Sequence, residues 1–153
     1  MVTVGDIVLE CSLSLCIGCG KCGKACPSGR NGGIRPDVLV SAMNDADPRS
    51  DPAEFSADVW KCLMCRRCSE ICPKGADVAG AVTSMRYISA SSGGAPARFI
   101  RTAAALAAEG RAFPVNDTVN KKRAELGLPE IKNDASSAEE LRKIMSATGF
   151  RNE

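Results

Sequence analysis

The chain has 153 residues, of which 20 are Lys or Arg and 18 are Asp or Glu, giving a formal net charge of +2. It contains nine cysteines but no histidine, which excludes His-ligated zinc or haem, a Rieske centre, and catalysis by Ser-His-Asp or Cys-His groups within this sequence. The length indicates one domain, or one domain with a tail. Aromatic residues make up only 4% of the chain, so we expect a small core that bound metal would reinforce.

The first ten residues do not resemble a signal peptide, because they lack a basic segment and include Asp6 and Glu10. No run reaches the roughly 18 apolar residues needed to span a bilayer. The most apolar run, 99–108, contains Arg101. We therefore expect a cytoplasmic protein without direct membrane insertion, in a compartment where thiols stay reduced.

The chain begins with an apolar run, Val2 to Leu9, that is rich in β-branched residues. This pattern predicts an edge strand or an extended arm. Cys11 follows and stands outside the two cysteine motifs described next. Its simplest role is a small buried apolar side chain near the first of them, with a substituting metal ligand or a redox-sensing thiol as the alternatives.

A cysteine motif with the spacing C-x2-C-x2-C-x3-C-P occurs twice, from Cys16 to Pro27 and from Cys62 to Pro73. This is the run of bacterial ferredoxins, whose thiolates bind [4Fe–4S] clusters. In two-cluster proteins the fourth cysteine of each run ligates the cluster of the other run. The pattern therefore predicts two [4Fe–4S] clusters with crossed ligands. The expected ligands are Cys16, Cys19, Cys22 and Cys72 for cluster 1, and Cys62, Cys65, Cys68 and Cys26 for cluster 2.

The alternatives for these cysteines are zinc sites and a disulfide framework. Zinc sites usually pair two C-x2-C units, or mix Cys with His, across a longer gap than these motifs offer. An oxidised cluster with its four thiolates contributes about −2, so two clusters change the net charge from +2 to about −2. The apparent basicity disappears, and we expect no nucleic-acid partner.

Between the motifs, residues 28–33 are glycine-rich and predict either a flexible turn or a segment whose amides approach the cluster sulfurs. A short helix is predicted over 35–44, with Pro36 in its first turn. Its expected apolar stripe consists of Val38, Leu39, Ala42 and Met43.

A further helix is predicted to begin at Asp51 and Pro52, with Glu54 completing a capping box, and to carry Trp60 into the core over the second cluster. Four basic side chains lie among the ligating cysteines and must point outward. They either offset the negative charge of the clusters or contact an acidic surface of a partner. These four are Lys21, Lys24, Arg66 and Arg67.

Helices are also predicted after the second motif. Asp77 caps a helix over 78–90, and Pro96 begins another that ends at Gly110. The elements around the motifs are therefore helical, and the segment between the motifs is longer than a hairpin connection. The sequence predicts an all-α fold, a helical two-cluster ferredoxin domain with a C-terminal helical tail.

The last forty residues predict two short, charged helices, over 118–126 and 137–147. Ser137 begins the capping box of the second helix, which is expected to end at Gly149. Both helices carry few apolar residues, so they either lie on a partner protein or complete the domain's own core. We assign residues 1–110 to a helical ferredoxin domain that binds two clusters, and 111–153 to a C-terminal helical tail for partner docking.

Two segments resemble the iron–sulfur C subunit of heterodisulfide reductase. The first is C-I-G-C-G-K-C-G-K-A-C-P-S-G-R at 16–30, and the second runs from Trp60 through the cysteines to P-K-G-A-D-V at 73–78. The F-P-V-N turn at 113–116 and the T-G-F sequence at 148–150 also suit this family. Many helical ferredoxins share the cysteine spacing, but the residues after each Cys-Pro and the chain length favour this family.

The resemblance implies an electron-transfer subunit that carries no catalytic residues of its own. It would relay electrons between the flavin-containing, electron-bifurcating A subunit of heterodisulfide reductase and the disulfide-reducing B subunit, with a hydrogenase or formate dehydrogenase as upstream donors. The substrate of such an assembly is a disulfide such as that of coenzyme M and coenzyme B. Two alternatives are the iron–sulfur subunit of a membrane-associated quinone oxidoreductase and a free-standing ferredoxin-like carrier.

Overall fold

In a computed structural model, the chain forms two compact units, residues 1–95 and 96–153. The structure describes residues 2–55, 58–113, 115–132 and 134–148. Helices joined by short turns make up these described residues, and no strand occurs among them. The all-α fold class predicted from the sequence is confirmed.

The helices of the first unit lie in chain order around the two cysteine motifs. The α-helices are α1 (Val4–Glu10), α2 (Lys21–Ala25), α3 (Pro27–Arg30), α4 (Pro36–Asp45), α5 (Arg67–Glu70) and α6 (Val78–Ser91). Short 3₁₀ helices span Leu13–Leu15, Pro52–Phe55 and Val59–Lys61. Most of these helices are too short to be stable in isolation, so tertiary packing must hold them.

The prediction of a strand or extended arm over residues 2–9 was wrong, because most of this segment forms α1. Thr3 caps the helix: its hydroxyl accepts a hydrogen bond from the Asp6 amide at 3.3 Å, and the Asp6 carboxylate accepts one from the Thr3 amide at 2.8 Å. Val4 and Ile7, one turn apart, are both buried. The capping box and the helical spacing outweigh the β-propensity of the segment.

One apolar cluster forms the core of the first unit. Its buried members come from α1, α4, α6 and the 3₁₀ helix before each motif. They include Ile7, Leu13, Val40, Met43, Val59, Val82 and Met85. Five partly buried motif cysteines pack against this cluster, namely Cys16, Cys26, Cys62, Cys68 and Cys72. Core packing therefore fixes the backbone that carries the thiols.

The helix predicted over 35–44 is confirmed as α4, but its buried face is rotated. Val40 and Met43 are buried, whereas Val38, which was predicted to lie on the apolar stripe, is 57% exposed. The helix packs against α1 and α2, and these contacts select the face that is buried. The sequence of this helix has apolar residues on more than one face, so the sequence pattern alone could not determine which face is buried.

The helix predicted to start at Asp51 forms only as the 3₁₀ helix Pro52–Phe55. The Asp51 carboxylate accepts a hydrogen bond from the Ala53 amide at 2.9 Å, which stabilises the first turn; the capping box with Glu54 stays a prediction. A separate 3₁₀ helix, Val59–Lys61, then leads into Cys62. Residues 56–57, where the predicted helix would continue, lie outside the described part of the chain.

The second unit contains α7 (Ala97–Glu109), α8 (Asp117–Glu125) and α9 (Ala135–Ala147). α7 ends as predicted at Gly110, which adopts a left-handed conformation with a φ of 69°. α7 packs against α9. The residues of α7, which the sequence analysis placed in the cluster-binding domain, therefore belong to the same compact unit as the C-terminal helices.

α9 begins two residues before the predicted start at Ser137. Its N-cap is Asp134, whose carboxylate accepts a hydrogen bond from the Ser136 amide at 3.0 Å. The Ser137 hydroxyl donates to the same carboxylate at 2.5 Å. The predicted capping box at Ser137 was wrong, because Asp134, three residues earlier, is the N-cap and the Ser137 hydroxyl is used as a donor to it. Gly149, the predicted end of the helix, lies outside the described residues.

Candidate iron–sulfur site

The motif cysteines line two cavities in the first unit. The first cavity, of about 340 Å³, is lined by four cysteines that we call the first set: Cys16, Cys19, Cys22 and Cys72. The second cavity is lined by the second set: Cys26, Cys62, Cys65 and Cys68. Each cavity therefore holds three cysteines of one motif and the fourth cysteine of the other, which is the grouping that the sequence analysis expected.

The two motifs repeat one local fold, offset by 46 residues along the chain. In each, a 3₁₀ helix leads into the first cysteine and a short α-helix, α2 or α5, carries the third. α2 and α5 pack against each other. The two sets of cysteines are therefore brought side by side by an internal repeat.

The turn between the first and third cysteines requires left-handed backbone at two positions. In the first motif these are Gly18 and Gly20, both with φ 67°. In the second motif the equivalent residues are Met64 and Arg66, with φ 54° and 58°. Glycine adopts this conformation freely, whereas other residues adopt it at a cost of about 1–2 kcal/mol. The second motif therefore holds backbone strain that the first avoids.

Backbone amides donate hydrogen bonds to several of the motif sulfurs. Gly18 N–H donates to Cys16 Sγ at 3.5 Å, and its counterpart Met64 N–H donates to Cys62 Sγ at 3.4 Å. Gly29 N–H donates to Cys26 Sγ at 3.3 Å. The segment 28–33 thus includes an amide that approaches a sulfur, and its first residues belong to α3 instead of a loop. Such hydrogen bonds favour the thiolate and tune a bound cluster.

Two serines that follow motif cysteines link the motifs to the rest of the unit. Ser28 Oγ donates to the Lys61 carbonyl at 2.7 Å, which ties the end of the first motif to the entry of the second. Ser69 Oγ donates to Asp77 Oδ1 at 2.6 Å and accepts from the Ala79 amide, which ties α5 to the start of α6. Sequence reasoning missed both, because a lone serine gives no signal of its tertiary partner.

Further contacts of this kind fix the 3₁₀ helices that precede the motifs. Asn44 Nδ2 donates to the Leu13 carbonyl at 3.0 Å. Arg86, on α6, donates to the Val59 carbonyl at 2.9 Å and to the Cys62 carbonyl at 2.6 Å. Neither donor was singled out from the sequence, since both lie far from the motifs along the chain.

Trp60 lies in the core beside these contacts. Its indole N–H donates to Ser89 Oγ at 3.1 Å, and the guanidinium of Arg86 lies 5.2 Å from the ring centroid. Trp60 packs against the apolar core as predicted. It is absent from the described lining of the second cavity, so its role is to fix the backbone before Cys62.

The third cysteine of each motif is one whose thiol pKa is raised by burial. Burial raises the pKa of the Cys22 thiol to about 11, with the Asp37 carboxylate adding to the effect. Burial also raises the pKa of Cys68. Both thiols are therefore neutral at pH 7 without metal, and ligation to iron would supply the charge that stabilises the thiolate.

Cys11 is 6% exposed and lies in the core. Its pKa is raised by burial and by the neighbouring Asp77 and Glu10 carboxylates. Its carbonyl accepts a hydrogen bond from the Asp77 amide at 2.9 Å, and it is not among the lining residues of either cavity. The structure places it as the small buried side chain that the sequence predicted.

The four basic side chains among the cysteines are all exposed. Of these four, Lys21 lines the first cavity, Arg66 and Arg67 line the second, and Lys24 is in the lining of neither. Lys74, which follows the second motif, also lines the first cavity. Arg66 also pairs with Asp77 at 3.5 Å. Both cavities therefore carry positive charge at their surface.

The donor chemistry of each cavity fits a [4Fe–4S] cluster, which takes one thiolate on each of its four irons. Within the described part of the chain, no group of three acidic or cysteine side chains converges closely enough to hold a single metal ion. The second cavity is only about 20 Å³, close to the volume of one water. It is therefore the tighter of the two cavities.

No helix among the described residues is both long and apolar enough to cross a membrane.

A family model described as a 4Fe-4S dicluster domain matches residues 12–76, which include both motifs. The match supports two [4Fe–4S] clusters in this chain, as predicted from the cysteine spacing.

Relatives of known name align over most of the chain. The C subunit of ferredoxin:CoB-CoM heterodisulfide reductase from Methanosarcina mazei is 30% identical over 88% of this chain and 84% of its own length. An iron-sulfur C subunit of CoB--CoM heterodisulfide reductase from Methanocaldococcus jannaschii is 32% identical over 97% and 80%. The C subunit of H(2):CoB-CoM heterodisulfide,ferredoxin reductase from Methanothermobacter thermautotrophicus is 30% identical over 91% and 76%.

These alignments extend well beyond the cysteine motifs, so they do not depend on the ferredoxin spacing alone. Together with the two four-cysteine cavities, they establish an iron–sulfur protein with a role in electron transfer. The chain binds two [4Fe–4S] clusters and belongs to the family of heterodisulfide reductase C subunits.

Proposed function

We propose that this chain relays single electrons within a heterodisulfide reductase complex, from the flavin-containing A subunit to the disulfide-reducing B subunit. The observation that carries the proposal is the pair of adjacent cavities, each lined by four cysteines drawn from both motifs. α2 and α5, which carry Cys22 and Cys68, pack against each other. Clusters bound so close together suit sequential one-electron steps.

In this proposal the first set binds one cluster and the second set binds the other. The cluster supplies one-electron redox chemistry when bound. The chain's own residues hold it, donate amide hydrogen bonds to its sulfur ligands, and exclude water from its inner side through the apolar core. Each motif cysteine is committed as a ligand, so disulfide reduction belongs to a partner.

Each cavity has a surface that suits contact with a partner. Ile17 and Leu63 occupy equivalent positions, directly after the first cysteine of each motif, and are 62% and 65% exposed. Each lines its cavity next to a basic residue, Lys21 or Arg67. An apolar side chain beside a basic one favours a partner surface with apolar and acidic residues. We assign one such surface to the flavin-containing partner and the other to the disulfide-reducing partner.

The names of the relatives, each of which is a C subunit, support assembly into a complex of several subunits. We further propose that the C-terminal region, 111–153, docks on a partner. Its helix α8 has no buried residue, and Leu126 and Leu128 just after it are 75% and 46% exposed.

The assembly role is tested by truncation. A chain that ends at Ala95 removes the whole second unit without separating α7 from α9. It should keep both clusters but recover less of the A and B subunits in a pull-down than the full chain does. Iron content serves as the control for folding of the first unit. Equal recovery of both partners would show that the second unit is not a docking element.

The relay role is tested by omission from a reconstituted complex. The A and B subunits should reduce the disulfide at the expense of the electron donor only when this chain is present with both clusters. The full chain with Cys11→Ala is the matched control, since Cys11 lies outside both cavities. Recovery of a membrane quinone enzyme as the partner, or of no partner at all, would favour the alternative electron-carrier roles.

A further inference from the structure

The internal repeat makes Leu13 the counterpart of Val59 and Cys16 the counterpart of Cys62. The carbonyls that begin the two repeats are both capped by a side chain. The Leu13 carbonyl accepts from the neutral amide of Asn44, at 3.0 Å. The Val59 carbonyl accepts from the Arg86 guanidinium, at 2.9 Å. The same structural position is therefore neutral at the first motif and positively charged at the second.

Arg86 is held close to the second set. Its other contact is to the carbonyl of Cys62, at 2.6 Å, so the cation lies against the backbone of a ligand. It is half-buried, and one of its faces lies over the Trp60 ring. A half-buried charge interacts with its neighbours more strongly than an exposed one, because less water screens it.

The other charges at the two cavities largely match. Lys21 and Arg67 are equivalent and exposed. Lys74 at the first cavity and Arg66 at the second are not equivalent in the repeat, but each adds one exposed positive charge to its cavity. Exposed charges are screened by solvent and salt. The Asp37 carboxylate at the first cavity pairs with Arg35, 2.7 Å away, but it still acts on Cys22 as a negative charge. Arg86 therefore adds positive charge at the second site, while Asp37 adds negative charge at the first, and both differences act in the same direction.

The amide hydrogen bonds differ in the same direction. Among the described residues, amides of neighbouring residues donate to Cys26, Cys62 and Cys68 of the second set, and to Cys16 and Cys22 of the first set. Adding one electron takes a [4Fe–4S] core from +2 to +1, so the site with its thiolates changes from about −2 to about −3. A nearby cation and additional N–H donors stabilise the more negative state and raise the reduction potential.

We propose that Arg86 raises the reduction potential of the cluster bound by the second set above that of the cluster bound by the first set. A single electron delivered to the chain then resides mainly at the second set. The tighter second cavity acts in the opposite direction, since burial disfavours added charge, but the same burial strengthens the interaction with Arg86. Given the proposed relay, the second set faces the acceptor of the electrons.

The order of reduction is measured on the isolated, full-length protein with both clusters. Anaerobic titration with dithionite as the reductant, followed by electron paramagnetic resonance, reports which cluster is reduced first. The signals are assigned with Cys19→Ser and Cys65→Ser, which change one exposed ligand of each set. We expect the first electron at the signal that Cys65→Ser perturbs. A first electron at the signal that Cys19→Ser perturbs would overturn the proposal.

The role of the charge is tested by substitution at Arg86. Arg86→Gln removes the charge but keeps donor groups, and should shift the partition of one electron toward the first set on the order of tenfold. Arg86→Lys keeps the charge and should shift the electron partition less than Arg86→Gln does. The matched control is Arg67→Gln, an exposed change of the same size beside the same cavity, which should also shift the partition less than Arg86→Gln does.

Iron and sulfide analysis of each variant shows whether both clusters are present. An equal shift in Arg86→Lys and Arg86→Gln, or no shift in Arg86→Gln, would overturn the role of the charge. If Arg86→Gln loses a cluster, the proposal is still tested by two measurements. These are the order in which the two clusters of the wild type are reduced, and the shift of the electron partition in Arg86→Lys. None of these measurements needs a partner protein, so failure of the proposed relay would show separately, in the pull-down and omission experiments.

Discussion

At the residue scale, the two motifs impose the same backbone on different side chains. Gly18 and Gly20 take up left-handed conformations freely, but Met64 and Arg66 take them up against their preference. No atom lies within 4 Å of a Cβ added at Gly20, so a side chain there meets no neighbour. At this position the two motifs therefore differ only in the conformational energy of the left-handed backbone, and not in side-chain contacts.

We expect Gly20→Ala to lower the free energy of unfolding by about 1 kcal/mol, because alanine resists the left-handed conformation. Arg66→Gly should relieve the same strain in the second motif, with a smaller change because it loses the surface ion pair with Asp77. Anaerobic denaturation of the cluster-loaded protein measures both. If Gly20→Ala has the same free energy of unfolding as the wild type, the backbone strain at this position is negligible.

The crossed grouping of the cysteines gives a second prediction. Cys26→Ala should damage the cluster held with Cys62, Cys65 and Cys68, because Cys26 lines the second cavity. Cys72→Ala should damage the other cluster, for the same reason at the first cavity. Electron paramagnetic resonance and iron content distinguish the two clusters.

Cys11→Ala is the control for these variants and should leave both clusters intact. Damage from Cys26→Ala that falls instead on the cluster of Cys16, Cys19 and Cys22 would contradict the crossed assignment. In that case each motif would supply all four ligands of its own cluster.

At the element scale, α9 shows how the start of a helix depends on its N-cap residue. Asp134 accepts a hydrogen bond from the Ser136 amide and another from the Ser137 hydroxyl. Of these, the bond from Ser137 lowers the pKa of Asp134 most. Its carboxylate also faces the N-terminal end of the helix, where negative charge is favourable.

We expect Asp134→Ala to increase hydrogen exchange in the first turn of α9 more than Ser137→Ala does, because Asp134 is the N-cap residue. The folded pKa of Asp134 lies below its ordinary value of 3.8. Its contribution to stability is therefore present above the unfolded pKa and is lost as the pH falls through the folded pKa. Protection of α9 in the wild type should approach that of Asp134→Ala below pH 3.8. Equal effects of the two substitutions at neutral pH would contradict the observed cap.

At the scale of the whole molecule, the first unit has short helices and a small core. We therefore expect the bound clusters to stabilise its fold. Five motif cysteines already pack against the core, so ligation would join the core to the cluster-binding turns. Metal binding to such a site contributes to folding as well as to redox chemistry.

We expect about eight irons and about eight inorganic sulfides per full-length chain, from two [4Fe–4S] clusters. Anaerobic iron and sulfide analysis of the purified protein measures this. The Cys65→Ala variant, which removes one ligand of the second set, should hold about half as much iron. One zinc per chain with no labile sulfide would contradict the iron–sulfur assignment.

The sequence by itself determined the cofactor and most of the helices, and it predicted the two groups of four cysteines that the cavities also bring together. These features depend on local spacing: the motif intervals, the Asp77 cap of α6 and the Gly110 end of α7 all act within a few residues. Local hydrogen bonding and steric restriction are sufficient to encode them.

The tertiary structure determined the features that the local spacing of residues could not encode. It determined which face of α4 is buried, and it joined α7 to α9. It also brought Arg86 to the Cys62 carbonyl, across 24 residues of chain. These outcomes depend on which distant surfaces meet, because burial and long-range hydrogen bonds gain free energy only once their partners are assembled.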